Sequence, residues 1–293
     1  MVHALTPPRL VQLSPSFANA DPGGVLLPGF GADSWNYTSS YRNPYNGVVG
    51  TTGWSSIAPA GLVPFESPIN INTPATDLSK VVTVDYTNAV SKQIINNSHQ
   101  IQLQFPATTP DTVTVAGQVF TLSQFHYHDP AENTAHHRVD TMDEHFVNIS
   151  ASGAETVLAV FLKLGPHNNA LDAILNAAQS SLTTPNSHTM IPSQINFAGL
   201  LPGTMKGWDF QGSLTTPPFS QPVNWFVFQQ PITLDKAQLA TYEQVARGSG
   251  FLPNARPVQS TDGRVLNQID FNVNFQNESI AGLNFELTPR YPS

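Results

Sequence analysis

Cysteine is absent from this chain of 293 residues, so no disulfide staples the fold and no thiolate can close a structural metal site. Charge is scarce as well. Asp, Glu, Lys and Arg together make up 11% of the residues, the formal net charge is -8, and neither Lys nor Arg forms a cluster. A surface for nucleic acid or an anionic membrane is therefore excluded, and the expected partner is a small neutral or anionic molecule. No stretch approaches the roughly 18 consecutive apolar residues of a membrane span. Met1 to Gly24 lacks the basic segment and apolar core of a secretory leader, so the expectation is either a cytosolic protein or a chain that begins after a cleaved leader. Asn36, Asn96, Asn148 and Asn277 open N-x-Ser/Thr triplets, which fit an exported, secreted glycoprotein.

What the chain does contain is turn residues and short β-branched or aromatic runs. There are 25 prolines and 19 glycines, and Lys80–Tyr86, Gln100–Phe105, Thr112–Val115 and Thr156–Leu164 alternate with turn-rich segments, which favours a mainly β fold. Two helices are expected to cover the sheet. One spans Asn169 to Ser181, with Leu171, Ile174, Leu175 and Ala178 at helical spacing; the other spans Leu234 to Arg247, with Asp235 in its first turn. Residues 1–33 read as a Pro/Gly-rich arm, and 34–293 as a single domain, a size that all-β domains often reach undivided.

The chemistry resides in histidines. In Gln124-Phe125-His126-Tyr127-His128, strand alternation puts Gln124, His126 and His128 on one face and the two aromatic rings on the other. The run Asp143-Glu144-His145-Phe146-Val147 does the same for Asp143, His145 and Val147. If the strands are neighbours, three neutral imidazoles converge on one ion and leave a position for water, the arrangement of a catalytic zinc site. An H-x-H pair alone is commonly bland, and its surroundings decide.

Those surroundings are Glu66-Ser67-Pro68-Ile69-Asn70-Ile71, Asn96-Asn97-Ser98-His99, Gln124 to Glu132, Asp143 to Val147 and Gly212-Ser213-Leu214-Thr215-Thr216-Pro217-Pro218. In order and approximate spacing the chain resembles the α-class carbonic anhydrases, of bacterial or fungal type, from about Trp35 to Arg264. The resemblance implies a large, twisted, predominantly antiparallel sheet of about ten strands with short peripheral helices. It implies reversible hydration of carbon dioxide to bicarbonate and a proton, by a zinc-bound hydroxide, with zinc on His126, His128 and His145. Thr215 would orient the hydroxide and donate to Glu132, since a hydroxyl offers one donor and two lone pairs. Thr216 would contact bicarbonate, and Val147, Val157, Leu214 and Trp225 would wall the carbon dioxide pocket. His99 would shuttle the proton, its ordinary pKa suiting exchange near neutrality, through waters ordered by Tyr37, Asn97 and Gln102. Gln124 is expected to hold His126, Asp143 to hold His145, and a backbone carbonyl to hold His128. Simple anions and sulfonamides would inhibit.

The chain departs from the family pattern in several places. Asp143 stands where glutamate is usual, Asn133 where histidine is usual and Phe210 where tyrosine is usual. The shorter aspartate is expected to reach His145 only through a strand shift or a water. Asp129 and Gln221 are milder departures, and Phe219 occupies a position where exported relatives carry a disulfide cysteine. A non-catalytic module of the same fold is disfavoured by the retained histidines with Thr215, Glu132 and His99. An ester-hydrolysing side activity stays open.

Overall fold

A computed structural model of the chain describes residues 64–274, apart from 73, 77–79, 81, 88–92, 192, 205 and 217–218. The N-terminal arm, Tyr37, Asn36, Asn277, Pro217 and Pro218 lie outside these residues. The strands are β1 (Asn70–Ile71), β2 (Ala75–Thr76), β3 (Val82–Asp85), β4 (Gln93–Asn96), β5 (Ile101–Gln104), β6 (Thr112–Val115), β7 (Gln118–His128), β8 (Thr134–Ala135), β9 (Met142–Ser150), β10 (Glu155–Leu164), β11 (His188–Thr189), β12 (Lys206–Gly212), β13 (Val223–Phe228), β14 (Ile232–Leu234) and β15 (Asn267–Asn274). The helices are α1 (Asn169–Ser181), α2 (Phe197–Leu200) and α3 (Lys236–Gly248).

Among the described residues thirteen strands form one mixed sheet, and β1 pairs with β8 apart from it. Antiparallel pairings predominate, as expected, with parallel ones where β10 meets β13 and β14 and where β15 meets β2 and β3. Beside the about ten strands that the resemblance implies, the sheet includes pieces as brief as β2, β11 and β14. Pairings run from β7 through β9, β10, β13, β12, β15, β3 and β6 and back to β7, a closed circuit. The longest strand, β7, pairs with β6 by its first half and β5 by its second, and its register against β9 shifts between Leu122 and Gln124.

The sheet buries both faces. On one, Phe125, Tyr127, Phe146 and Leu158 meet Leu171 and Ile174 of α1 and Tyr242 and Val245 of α3; each such side chain contributes about 1.5–3 kcal/mol on burial. On the other, Val147, Val157, Phe210, Trp208 and Trp225 form a second cluster with Leu214 against it. The alternation read from the sequence for β7 and β9 is the one observed.

Both long helices begin where a side chain can cap them. Asn168 accepts from Ala170 N at 3.0 Å, and Asp235 precedes α3 as its cap, with Gln238 completing a capping box. Asp235 is thus outside the helix rather than in its first turn. The short α2 was not foreseen; four residues carry no helical period. Two of the N-x-Ser/Thr asparagines, Asn96 and Asn148, are fully buried. Asn148 Nδ2 donates to Phe146 O and its Oδ1 accepts from Tyr86, so neither can carry a glycan in this fold.

Candidate metal centre

Three side-chain rows cross the sheet on its second face. In one, Gln102, His126, His145 and Ala159 are successive cross-strand partners on β5, β7, β9 and β10. In the next, His128 faces Asp143 and Asp143 faces Phe161. In the third, Gln124, Val147, Val157, Trp225 and Phe210 run from β7 to β12. His126 and His145 therefore share the middle row and His128 lies beside them in the Asp143 row, all three placed by alternation on two paired strands.

One nitrogen of each ring is already engaged. His126 Nδ1 lies 2.8 Å from Gln124 Oε1, His128 Nδ1 2.7 Å from Asn254 O, and His145 Nε2 3.1 Å from Asp143 Oδ2. All three partners are acceptors, so each outer nitrogen carries the proton and each inner nitrogen presents a bare lone pair. One ligand nitrogen from each ring lies within 4.8 Å of the others. All three rings are buried, and His128 Nε2 has no hydrogen-bond partner of full geometry. Burial drives the His126 pKa well down, with the neighbouring rings adding to it, and drives that of His128 down to about 3. At His145 burial acts the same way, but the carboxylates of Asp143 and Glu132 outweigh it and raise the pKa, so that a bound cation would have to displace any proton from its inner nitrogen. Three buried imidazoles whose inner nitrogens face one another match, in their neutral forms, a borderline divalent cation such as zinc.

Glu132 enters the same space. Its Oε1 accepts from Arg256 N at 2.7 Å, while Oε2 is 3.4 Å from His128 Nε2 and 3.9 Å from His145 Nδ1. Thr215 bonds to the carboxyl. Burial, with Asp143 adding to it, pushes the carboxyl up to about 8, against the pull of His145, the Arg256 amide and Thr215. The Thr215 loop is held by Trp225 Nε1 donating to Ser213 O at 2.9 Å and Leu214 N donating to Ser220 O at 3.0 Å. Thr215 is buried and Thr216 half-buried. Trp225 stands edge-on to His145, ring centroids 4.9 Å apart, and stacks on Phe210. Val147, Val157 and Leu214 lie in the same cluster. Phe219 lies under the Arg256 guanidinium, 3.8 Å from ring centre to carbon.

Asp143 corrects one expectation. It meets His145 directly at 3.1 Å, so no bridging water is required, and the same Oδ2 also accepts from the amides of Glu132 at 3.1 Å and Asn133 at 3.4 Å. Asn133 turns its side chain to Ile69 N, and Phe210 stacks on Trp225. The three altered positions are thus not joined side chain to side chain.

His99 lies in the β4–β5 turn, beyond the Gln102–His126 pair. Asn97 accepts from His99 N and Gln100 N through Oδ1, and donates to Gln102 Oε1 at 3.2 Å. The residue the sequence did not reveal is Asn254. Its carbonyl holds His128, and its side chain donates to Tyr127 O and His99 O. It is 126 positions from His128, and an isolated asparagine in a loop carries no local signal.

Known proteins resemble this chain. The family described as eukaryotic-type carbonic anhydrase matches residues 49–269. A carbonic anhydrase of Klebsiella pneumoniae is 39% identical over 203 residues, 69% of this chain and 78% of that one; one of Neisseria gonorrhoeae is 33% identical over 201 residues, 69% and 76% of the two chains. The α-carbonic anhydrase of Thermovibrio ammonificans, solved with the inhibitor sulfanilamide, superposes with a TM-score of 0.67 at 31% identity, covering 78% of this chain and 99% of that one. A dioscorin solved with ascorbate, at 18% identity, TM-score 0.64 and coverage of 71% and 86%, shares the fold alone. With the family match spanning the strands that carry the histidines, and a relative 39% identical over 69% of the chain, the chain belongs to the eukaryotic-type carbonic anhydrase family.

Proposed function

We propose that the protein hydrates carbon dioxide reversibly to bicarbonate and a proton, with one zinc ion held by His126, His128 and His145. The observation that carries this reading is the set of three inward lone pairs whose outer nitrogens are each committed to an acceptor. A zinc ion there would supply a nucleophilic water near neutral pH, by lowering its pKa to roughly 7.

The chain's own residues supply the rest. Thr215, spending its proton on Glu132, keeps lone pairs to accept from the attacking oxygen and fix its direction. A divalent cation close by favours the ionised form of Glu132, which that donation requires. Val147, Val157, Leu214 and Trp225 form an apolar wall that admits an uncharged gas and excludes water, and Thr216 is at hand for the bicarbonate product. His99 takes the proton outward, with Asn97 and Gln102 beside it as donors and acceptors for intervening water. Simple anions and sulfonamides are expected to compete for the open side of the centre; the sulfanilamide complex of the Thermovibrio ammonificans relative supports this.

The test is a panel of single alanine substitutions. His126→Ala, His128→Ala and His145→Ala should each abolish hydration and release zinc to a chelator. His99→Ala should slow turnover but leave carbon dioxide–bicarbonate isotope exchange largely intact, and added imidazole should restore part of the rate. Wild-type activity in any of the first three would refute the metal assignment; equal loss of exchange and turnover in the fourth would refute the shuttle.

A further inference from the structure

We infer that Asn96 is a positioning residue for the proton shuttle: its buried amide ties the His99 turn to the ends of both long helices and holds Ser98 in a left-handed conformation. This rests on the reading of His99 as the shuttle.

Ser98 precedes His99 and has φ 75°, a region that favours glycine because other residues bring Cβ against the backbone. Something must hold it there. Asn96 Oδ1 accepts from Ser98 N at 3.1 Å. The other end of the same amide donates to Leu182 O at 2.9 Å and Ser249 Oγ at 2.6 Å, and Leu182 and Ser249 are the residues that close α1 and α3. One fully buried side chain thus connects the turn to the two largest rigid bodies behind the sheet. The turn's other main-chain groups have separate anchors. Asn97 Oδ1 takes the His99 amide at 3.1 Å and the Gln100 amide at 2.9 Å, and Asn254 Nδ2 donates to His99 O at 3.2 Å. The left-handed Ser98 is held on its amide by Asn96 from the interior, while its exposed hydroxyl donates to Asn186 Oδ1 at 3.4 Å. A change of φ there would swing His99 relative to the sheet, and a proton relay is sensitive to such displacement. The Asn96-Asn97-Ser98 triplet, read from sequence as a glycan acceptor, is in this account a mechanical part, its amide nitrogen spent in the interior.

The experiment compares Asn96→Ala, Ser98→Val, Ser98→Thr, Asn96→Ala/Ser98→Gly and His99→Ala in the full zinc-loaded chain. Readouts are turnover in a bulky buffer that accepts protons poorly, turnover with added imidazole, isotope exchange between carbon dioxide and bicarbonate, and thermal stability. Asn96→Ala should lose turnover, by less than the roughly 100-fold or more that complete loss of a general acid–base group costs, with restoration by imidazole and little change in exchange. Ser98→Val, which leaves the Asn96 bonds to both helices in place but removes the Ser98 hydroxyl from Asn186, should show the same pattern, and Ser98→Thr, which keeps a hydroxyl, should show it too; the two carry the test if Asn96→Ala does not fold. Glycine at 98 needs no holding, so the double variant should regain most of the turnover while staying as thermally weakened as Asn96→Ala. Full turnover in Ser98→Val or Ser98→Thr, a loss in Asn96→Ala that imidazole does not restore, or no recovery in the double variant would overturn the inference. If His99→Ala itself shows no imidazole-restorable loss, the shuttle reading fails and this inference falls with it; if His99→Ala shows that loss and Asn96→Ala does not, only the inference fails.

Discussion

At Asp143 a single carboxylate oxygen serves three donors: the His145 ring and the amides of Glu132 and Asn133. One side chain therefore fixes a metal-ligand ring and the segment bearing Glu132 together, and a glutamate, one methylene longer, would press on those amides. Asp143→Glu is expected to weaken zinc retention about 10-fold, the usual scale for a partner of a metal ligand; competition with a chelator measures it, and retention equal to wild type would contradict the argument. Adding Asn133→His and Phe210→Tyr should not recover the loss, since neither native side chain touches Asp143. On the opposite face Glu144 is fully buried opposite Tyr127, with no ion pair among the described residues, and burial raises its pKa well above the ordinary 4.5. Its protonated form is favoured by folding, so its contribution is complete below pH 4.5 and is lost as pH rises toward the raised value. Replacing both partners, Tyr127→Phe with Glu144→Leu, removes two buried polar groups at once, which is the favourable way to delete such a pair. The double variant should gain stability over wild type by a margin larger at pH 8.5 than at pH 5 in urea unfolding; a margin independent of pH would show that Glu144 is not the source.

Among the elements, α1 and α3 are clasped where they begin as well as where they end. His167, just before α1, bonds Asp172 of α1 at 3.0 Å and Asp235, the cap of α3, at 2.8 Å, while Gln238 joins Asp172 and the backbone of Asn168. Two carboxylates on the two ring nitrogens require both to carry protons, and these bonds raise the His167 pKa above 6.5. The sign follows: the clasp is complete below pH 6.5 and is lost as pH rises through the raised value. The thermal midpoint of wild type should exceed that of His167→Gln at pH 6, and the gap should shrink by pH 9; a constant gap would mean that the contribution is not ionic. Both helices were legible in the sequence, α1 by its amphipathic period and α3 by the acidic residue at its start, which are local signals, although the capping role of Asn168 and Asp235 emerged only in the structure. The clasp was not, since Asp172 and Asp235 are brought to His167 only by the packing of one helix on the other.

For the whole molecule, the sequence was most informative where chemistry coincides with strand alternation. Gln124, His126, His128, Asp143, His145 and Val147 could be placed on one face from the period of two alone, and the paired strands bring them together. Less could be read where partners come from distant loops: Asn254 on His128, Arg256 on Glu132, and the approach of Glu132 to His128 and His145. Their positions depend on the closed circuit of strand pairings, which no single segment encodes. Export was expected partly from four N-x-Ser/Thr triplets, and with Asn96 and Asn148 buried that proposal rests on Asn36 and Asn277. The central claim is that the three histidines hold one zinc on which hydration depends. Its most direct test is a stopped-flow titration of metal-free protein with zinc: hydration activity should rise from near zero and break to a plateau at one zinc per chain, whereas full activity without metal, or none at saturating zinc, would contradict it.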